Sequence, residues 1–331
     1  MIKDTQIPVI DVSALYSARS ERDLLSLAQI FREVYTTIGF AHIVNHGISQ
    51  RMFDAIFEQS KLFHHLPEEE KLKIKQNEFF RGYMPIEGSR FALSTLGEAI
   101  IPNQSAAFIL GFEVPETDPE YKLGINLAGP NQWPSEELLP DFKNVLLHYR
   151  ENLTTLLRNL VRVFSLSLGQ NYYALDKCFV RPTTFLRLQY YPAQPDVIPE
   201  QQYGIAPHTD WGALTLLAQD SVGGLQVKQC DGSWLDVPPL EGSFILNTGD
   251  MMRRMSNDTY ISTPHRVINT SGKERYSIPF FFEPDMHALI SPLTEKTPLY
   301  EPTEYADHIM KQIKNNYKIG AKGYQEVMQE N

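Results

Sequence analysis

The stretch "PHTDWGALTLL", Pro207 to Leu217, sets an imidazole and a carboxylate two residues apart inside an otherwise apolar, alternating run. Residues i and i+2 of a strand point to one face, so the alternation predicts that His208 and Asp210 share the side taken further on by Gly212, Leu214 and Leu216. His265 in "STPHRVIN", 55 residues after Asp210, is the strongest candidate for a third ligand. Two imidazoles and one carboxylate on one face of an octahedral ion leave three positions open, the donor set of non-haem Fe(II) oxygen chemistry. A structural zinc site would usually be closed by a fourth ligand, often Cys, and neither Cys178 nor Cys230 is near these histidines in sequence. The H-x-D tripeptide alone is more often a satisfied polar cluster, so its context has to decide.

That context includes "RYS", Arg275 to Ser277, which begins ten residues past His265 and alternates so that guanidinium and hydroxyl share a strand face. Buried arginine is rare unless paired. The two side chains suit a carboxylate clamp, bidentate from the fork and completed by the hydroxyl; a protein acid such as Asp236 or Asp250 is the competing partner for Arg275. "LRLQYY" places Arg187, Gln189 and Tyr191 on one phase, as further donors for the same cavity. In the loop "RGYMPIEGSR", Arg81, Tyr83 and Arg90 are candidate substrate contacts, with plain surface-loop residues an equally good reading. His46 reads as a hydrogen-bonded structural histidine, and His64 and His65 are expected to face solvent or cap the helix that follows.

The elements that must position these groups change character along the chain. "LLSLAQIFREVYTTIGF" has apolar residues near a helical period and stops at Gly39; "MFDAIFEQSKLFHHL" behaves similarly, and Pro67 with Glu68, Glu69 and Glu70 reads as a fresh helix start. From Arg81 to about Pro134 glycines and prolines break the pattern. A long helix is predicted from about Pro140 to Leu168, with Phe142, Leu146, Tyr149, Leu153, Leu156, Leu160 and Phe164 as its stripe and Gly169 as its end. Short alternating runs follow at "TTFLRLQYY", "GALTLLAQ", "GLQVKQ", "SWLDVP", "SFILNT", "HRVINT" and "RYSIPFFFEP", with turn formers such as Asp231-Gly232 and Ser271-Gly272 between them. This predicts a mainly β protein with flanking helices around a jelly-roll core. The expected organisation is one unit over 1–331: a helical and loop-rich region 1–134, the long helix plus jelly roll 135–295, and a helical segment 296–331.

At 331 residues, 42% hydrophobic and 21% charged, the chain has globular composition. A net charge of −10 opposes non-specific attraction to nucleic acid or anionic membranes, which leaves a small molecule as the expected partner and a monomer or small homo-oligomer as the expected state. Two cysteines are too few for a disulfide framework, and the start "MIKDTQIPVIDVS" reads as neither signal peptide nor membrane span, so a cytoplasmic location is expected.

With these residues assembled, the chain resembles the isopenicillin N synthase-like branch of the Fe(II)/2-oxoglutarate-dependent oxygenases over nearly its whole length. "IPVIDVS" then "GFAHIVNHGIS", "RLQYYP", "PHTDWGALTLLAQD", "GGLQV", "NTGDMMRRMSNDTYISTPHRV" and "RYSIPFFFEP" follow in the family's order and spacing. The resemblance implies a double-stranded β-helix of the cupin-like kind, with Fe(II) bound by His208, Asp210 and His265. It implies that Arg275 and Ser277 hold the distal carboxylate of 2-oxoglutarate and that Tyr191 adds a hydrogen bond. Gln189 stands where many relatives have Asn or His. The implied reaction consumes O2 and 2-oxoglutarate, releases succinate and CO2, and hydroxylates, desaturates or cyclises a small molecule; retention of Asp210 favours this over halogenation. An Fe(II) oxidase that does not use 2-oxoglutarate, a His2Asp metal hydrolase and a silent binding barrel are the alternatives. Phe280 and Phe282, on the phase opposite Arg275, are assigned to packing.

Overall fold

The computed structural model describes residues 6–89, 101–124, 127–195, 199, 201–293 and 297–316. Fourteen strands are present among them: β1 Val9–Asp11, β2 Phe40–Val44, β3 Gly82–Met84, β4 Ala106–Gly111, β5 Thr183–Tyr191, β6 Ile205–His208, β7 Leu214–Gln219, β8 Leu225–Lys228, β9 Trp234–Asp236, β10 Phe244–Thr248, β11 His265–Val267, β12 Arg275–Glu283, β13 Leu289–Ile290 and β14 Thr303–Glu304. The helices are α1 Ala14–Ser17, α2 Leu25–Tyr35, α3 Gln50–His64, α4 Glu68–Leu72, α5 Pro119–Lys122, α6 Phe142–Ser167, α7 Asp250–Met255 and α8 Tyr305–Asn316.

An eight-stranded sheet in the order β1-β2-β10-β7-β12-β5-β4-β3 faces a four-stranded sheet in the order β6-β11-β8-β9, the double-sheeted jelly roll that the strand spacing predicts. Each strand of the large sheet has two different environments. Leu214, Leu216, Leu246, Ile278, Phe280 and Phe282 point to the helical side, where they join Phe31 of α2 and Leu153, Leu160 and Phe164 of α6 in the main core. Burial of each such side chain contributes roughly 1.5–3 kcal/mol. The opposite phase faces the small sheet and holds a mixed apolar and polar interior, with Tyr191, Val227 and Val267 packed in a second cluster. Phe280 and Phe282 are therefore packing residues, as their phase implies.

All seven stripe residues predicted for the long helix are buried in α6. By contrast, α2 buries Leu27 and Phe31 but leaves Leu25 and Ile30 exposed, and it ends at Tyr35, short of its apolar pattern. The Gly39 N–H turns back to the Val34 carbonyl at 3.0 Å with φ +71°, a left-handed conformation that glycine adopts without strain, and the chain leaves as β2. The N-terminal region is thus less purely helical than expected. It supplies β1 to β4, half of the large sheet, and β2 pairs with β10 from Phe40↔Asn247 to Ile43↔Phe244. No helix among the described residues is long and apolar enough to cross a membrane. Cys178 is buried, Cys230 is exposed, and both are free.

Candidate active site

The two histidines meet across the small sheet: β11 pairs antiparallel with β6 in a register that sets His265 opposite His208, with ring centroids 4.2 Å apart. Asp210 is brought in differently from the sequence expectation. β6 ends at His208, and the chain turns through Thr209 to Ala213 before β7 begins at Leu214. His208 and Asp210 are therefore not on one strand face, and Leu214 and Leu216 point to the helical core while Thr215 and Leu217 face the site. The turn makes the difference, because it resets the two-residue phase between the metal-binding groups and the strand.

Each donor is anchored through its other polar atom. His208 Nδ1 bonds to the Ala206 carbonyl at 2.8 Å and His265 Nδ1 to the Thr263 carbonyl at 3.2 Å, which orients both rings with Nε2 towards Asp210. Asp210 Oδ2 accepts from Thr215 Oγ1 at 2.6 Å and from Asn247 Nδ2 at 2.7 Å, which leaves Oδ1. That oxygen lies 3.8 Å from His208 Nε2 and 3.7 Å from His265 Nε2, too far for hydrogen bonds. Burial pushes the Asp210 carboxyl up, but the two imidazoles together with Thr215 and Asn247 outweigh it and hold the group ionised, below its ordinary value. Burial and the neighbouring His265 push His208 down, towards the neutral, ligating form. Ligand atoms of the three residues all lie within 4.8 Å of one another, and two imidazoles with one carboxylate fit a divalent iron with positions to spare.

A cavity between the sheets joins this cluster to Arg275, with Gln189, Tyr191 and Ser277 along its wall. Register explains the grouping: β12 lies between β5 and β7, so Arg275 is opposite Tyr191 while Ser277 is opposite both Gln189 and Gln219. Arg275 is fully buried. Its Nε donates to the Gly223 carbonyl, Nη1 to Ser277 Oγ at 3.3 Å and Nη2 to Gln219 Oε1 at 3.1 Å, and its guanidinium lies 4.5 Å from the Tyr191 ring centre. Tyr191 OH is 3.5 Å from Ser277 Oγ. Among the described residues no carboxylate forms an ion pair with Arg275: Asp236 is taken by Gln226 and Asp250 by Thr209. A buried cation with no carboxylate at ion-pair distance is costly; Asp220 feels its charge but is bonded to the Tyr276 and Val222 N–H groups, and the Gln189 Nε2 beside Arg275 is a buried donor without an acceptor. The cation and this donor both fit an anionic guest that reaches from the histidine-aspartate cluster to the guanidinium.

A second cavity opens on the other side of Asp210, lined by Phe80, Ile109, Phe185, Arg187, Trp211, Phe281 and Glu283 together with Tyr305, Ile309 and Ile313 of α8. The loop of Asp210 is pressed against β12 here. The Ala213 N–H donates to Glu283 Oε2 at 2.6 Å, and a Cβ on Gly212 would stand 1.5 Å from that oxygen, so a larger residue there would have to displace the Glu283 carboxyl. Burial raises the Glu283 carboxyl to about 8. His308 Nε2 bonds to the Trp211 carbonyl at 3.0 Å, which fastens α8 to the same loop.

The predicted substrate contacts are elsewhere. Arg81 is buried, and it spends its guanidinium on the carbonyls of Phe79, Phe112 and Leu127. Tyr83 donates to Glu68 at 3.2 Å beneath the Lys71 ammonium. Neither is among the described residues lining the two cavities, since their polar atoms hold the loop itself together. Arg90 lies outside the described residues. His46 is structural, bonded to the Gly242 carbonyl at 2.9 Å. His64, expected at the surface, is buried against Tyr190 with Nε2 on the Leu188 carbonyl at 2.8 Å, whereas His65 is exposed beside Glu274. Asn247, Thr215 and the α8 residues were not singled out from the sequence. Their part depends on strand pairing and helix docking, and the only prior hint was the polar "NT" that ends the apolar run "FILNT".

Residues 182–284 match the model of the 2OG-Fe(II) oxygenase superfamily, and residues 7–136 match that of the non-haem dioxygenase N-terminal region named for morphine synthesis. The chain is similar to a 2-oxoglutarate-Fe(II) type oxidoreductase, hxnY, of Emericella nidulans, at 35% identity over 95% of this chain and 91% of the relative. It is also similar to a homoarginine-6-hydroxylase of Arabidopsis thaliana, at 35% identity over 92% of this chain and 85% of the relative. Among solved structures, a full-length Neurospora crassa protein in complex with alpha-KG and thymine superposes with a TM-score of 0.82 at 28% identity, covering 95% of this chain and 98% of that one. The interior cluster of two histidines and an aspartate, the buried arginine and these likenesses lead to one conclusion: the chain belongs to the isopenicillin N synthase-like 2-oxoglutarate/Fe(II) oxygenases and is a non-haem dioxygenase that uses Fe(II), 2-oxoglutarate and O2.

Proposed function

We propose that His208, Asp210 and His265 hold the iron, that Arg275 and Ser277 receive the distal carboxylate of 2-oxoglutarate with Tyr191 and Gln189 beside them, and that the second cavity receives the small molecule to be oxidised. The observation that carries this reading is the shared cavity, which has the His208, Asp210 and His265 cluster at one end and, at the other, a buried guanidinium with no carboxylate at ion-pair distance. Bound iron supplies the oxidation itself: O2 is consumed, 2-oxoglutarate becomes succinate and CO2, and a C–H bond of the substrate is oxidised.

The chain's own residues position the reactants and protect the site. Ala206 and Thr263 carbonyls orient the imidazoles, and Thr215 with Asn247 fixes which Asp210 oxygen faces the ligand. The Arg275 fork and the Ser277 hydroxyl suit a carboxylate in both geometry and charge. Phe185, Phe281 and Trp211 keep the substrate side dry, and α8 closes that side through His308. The acidic chain with two unpaired cysteines supports a cytoplasmic setting and a small solute as substrate, with the whole chain acting as one catalytic unit.

The test is iron binding. Wild-type protein is expected to take up one Fe(II) per chain under anaerobic conditions, whereas His208→Ala, Asp210→Ala and His265→Ala, each with an unchanged circular dichroism spectrum, are expected to lose it together with succinate formation. Undiminished iron in any two of the three variants would remove the assignment.

A further inference from the structure

Arg187, at the centre of β5, stands where the two cavities meet and lines both of them. Its chemistry there is unfinished. Arg81 bonds backbone carbonyls through both terminal nitrogens, although its Nε also lacks a partner, and Arg275 bonds to Gly223, Ser277 and Gln219. Among the described residues, Arg187 makes no hydrogen bond or ion pair, its buried Nε has no partner, and its guanidinium lies over the face of Phe281, 5.2 Å from the ring centre. A guanidinium carries five donors that are never deprotonated in a protein. The acidic side chains nearby are already engaged, Glu283 by the Ala213 N–H and Asp210 by Thr215 and Asn247.

The surroundings of that cation are mostly apolar. Phe185, Phe281 and Trp211 bring flat faces to the second cavity, and Ile109 and Ile309 add aliphatic ones. The net charge of −10 gives the molecule no general attraction for anions, so an acid is selected here by a local cation or not at all. We propose that Arg187 determines substrate specificity, and that the substrate is a small carboxylate with an apolar, ring-containing body. Its carboxylate is received by the Arg187 guanidinium and its ring lies between the aromatic walls next to Asp210. This rests on the reading that the second cavity is the substrate side of the site. A carboxylate at Arg187 has a second possible source, the 2-oxo acid itself, since Arg187 also borders its cavity.

The experiment uses full-length protein, anaerobic and loaded with Fe(II). 2-Oxoglutarate is titrated first, and matched acid and amide pairs follow: phenylacetate with phenylacetamide, 2-naphthoate with 2-naphthamide, cyclohexylacetate with cyclohexylacetamide. At least one acid is expected to bind more tightly than its amide by about tenfold to a hundredfold, the size of a hydrogen bond to a charged group. In Arg187→Gln that preference is expected to vanish while 2-oxoglutarate affinity stays within about twofold of wild type. Arg187→Lys, which keeps the cation, is expected to retain part of the preference, which separates loss of charge from a folding defect. The proposal is overturned if no acid is preferred to its amide. It is also overturned if Arg187→Gln weakens 2-oxoglutarate as much as the acid, which assigns the guanidinium to the cosubstrate. Failure of the wild type to bind 2-oxoglutarate in the first titration strikes the cosubstrate reading itself, and this proposal falls with it.

Discussion

Donor atoms 3.7 and 3.8 Å apart, each anchored by its far side, are held together at a cost unless something bridges them. Asp210 shows how the protein meets that cost: Thr215 and Asn247 both bond to Oδ2 and so aim Oδ1. Asn247→Leu is therefore expected to weaken Fe(II) by about ten- to a hundredfold, the usual effect of removing a group that orients a ligand. Competition against a calibrated chelator measures it, and unchanged affinity would show that Thr215 alone fixes the carboxylate. The ligand types and the Arg-x-Ser pair were legible in the sequence because their chemistry is unusual inside a strand pattern. Asn247 and Thr215 were not, since their contribution exists only across neighbouring strands. Arg81 was misread for a related reason: backbone carbonyls can engage a buried guanidinium, and they leave no mark in the residue types.

At the level of elements, the strands of the jelly roll and the long helix α6 followed from local periodicity, whereas β1 to β4 did not. β2 is only five residues long, and its partner β10 lies about two hundred residues away, so its pairing is invisible to a local pattern. The histidine pair that ends α3 makes the same point, because docking on β5 buries His64 and leaves its neighbour outside. Burial, partly offset by the Leu188 carbonyl, pushes His64 down to about 3, and its Nδ1 has no partner to accept an extra proton. The unfolded chain titrates near 6.5, so between that pH and about 3 it binds a proton that the folded chain refuses. Stability from this group is complete above the window and is lost as pH falls through it, by up to about 1.4 kcal/mol per pH unit. His64→Gln, which keeps a donor for Leu188, is expected to show a shallower loss in urea unfolding between pH 7 and pH 4.5. Parallel curves for the two proteins would mean that His64 is not held neutral.

For the whole molecule, the two sheets divide the labour. The helical side of the large sheet supplies the packing, and its other face, covered by the small sheet, is left polar enough to hold ions. The second cavity was beyond the sequence because it is assembled from β4, β5, β12, the Asp210 turn and α8, elements distant along the chain. The central claim is that one cavity holds 2-oxoglutarate between the histidine-aspartate cluster and Arg275. It is tested most directly by anaerobic titration of the Fe(II) protein with 2-oxoglutarate, following the metal-to-ligand charge-transfer band, in wild type and Arg275→Leu. Removing one partner of a buried charge pair costs about 2–5 kcal/mol, so the variant is expected to bind roughly thirtyfold to several thousandfold more weakly. Monocarboxylate 2-oxo acids, which lack the distal charge, should lose far less. Equal 2-oxoglutarate titrations for the two proteins would contradict the account and leave Arg275 a structural residue.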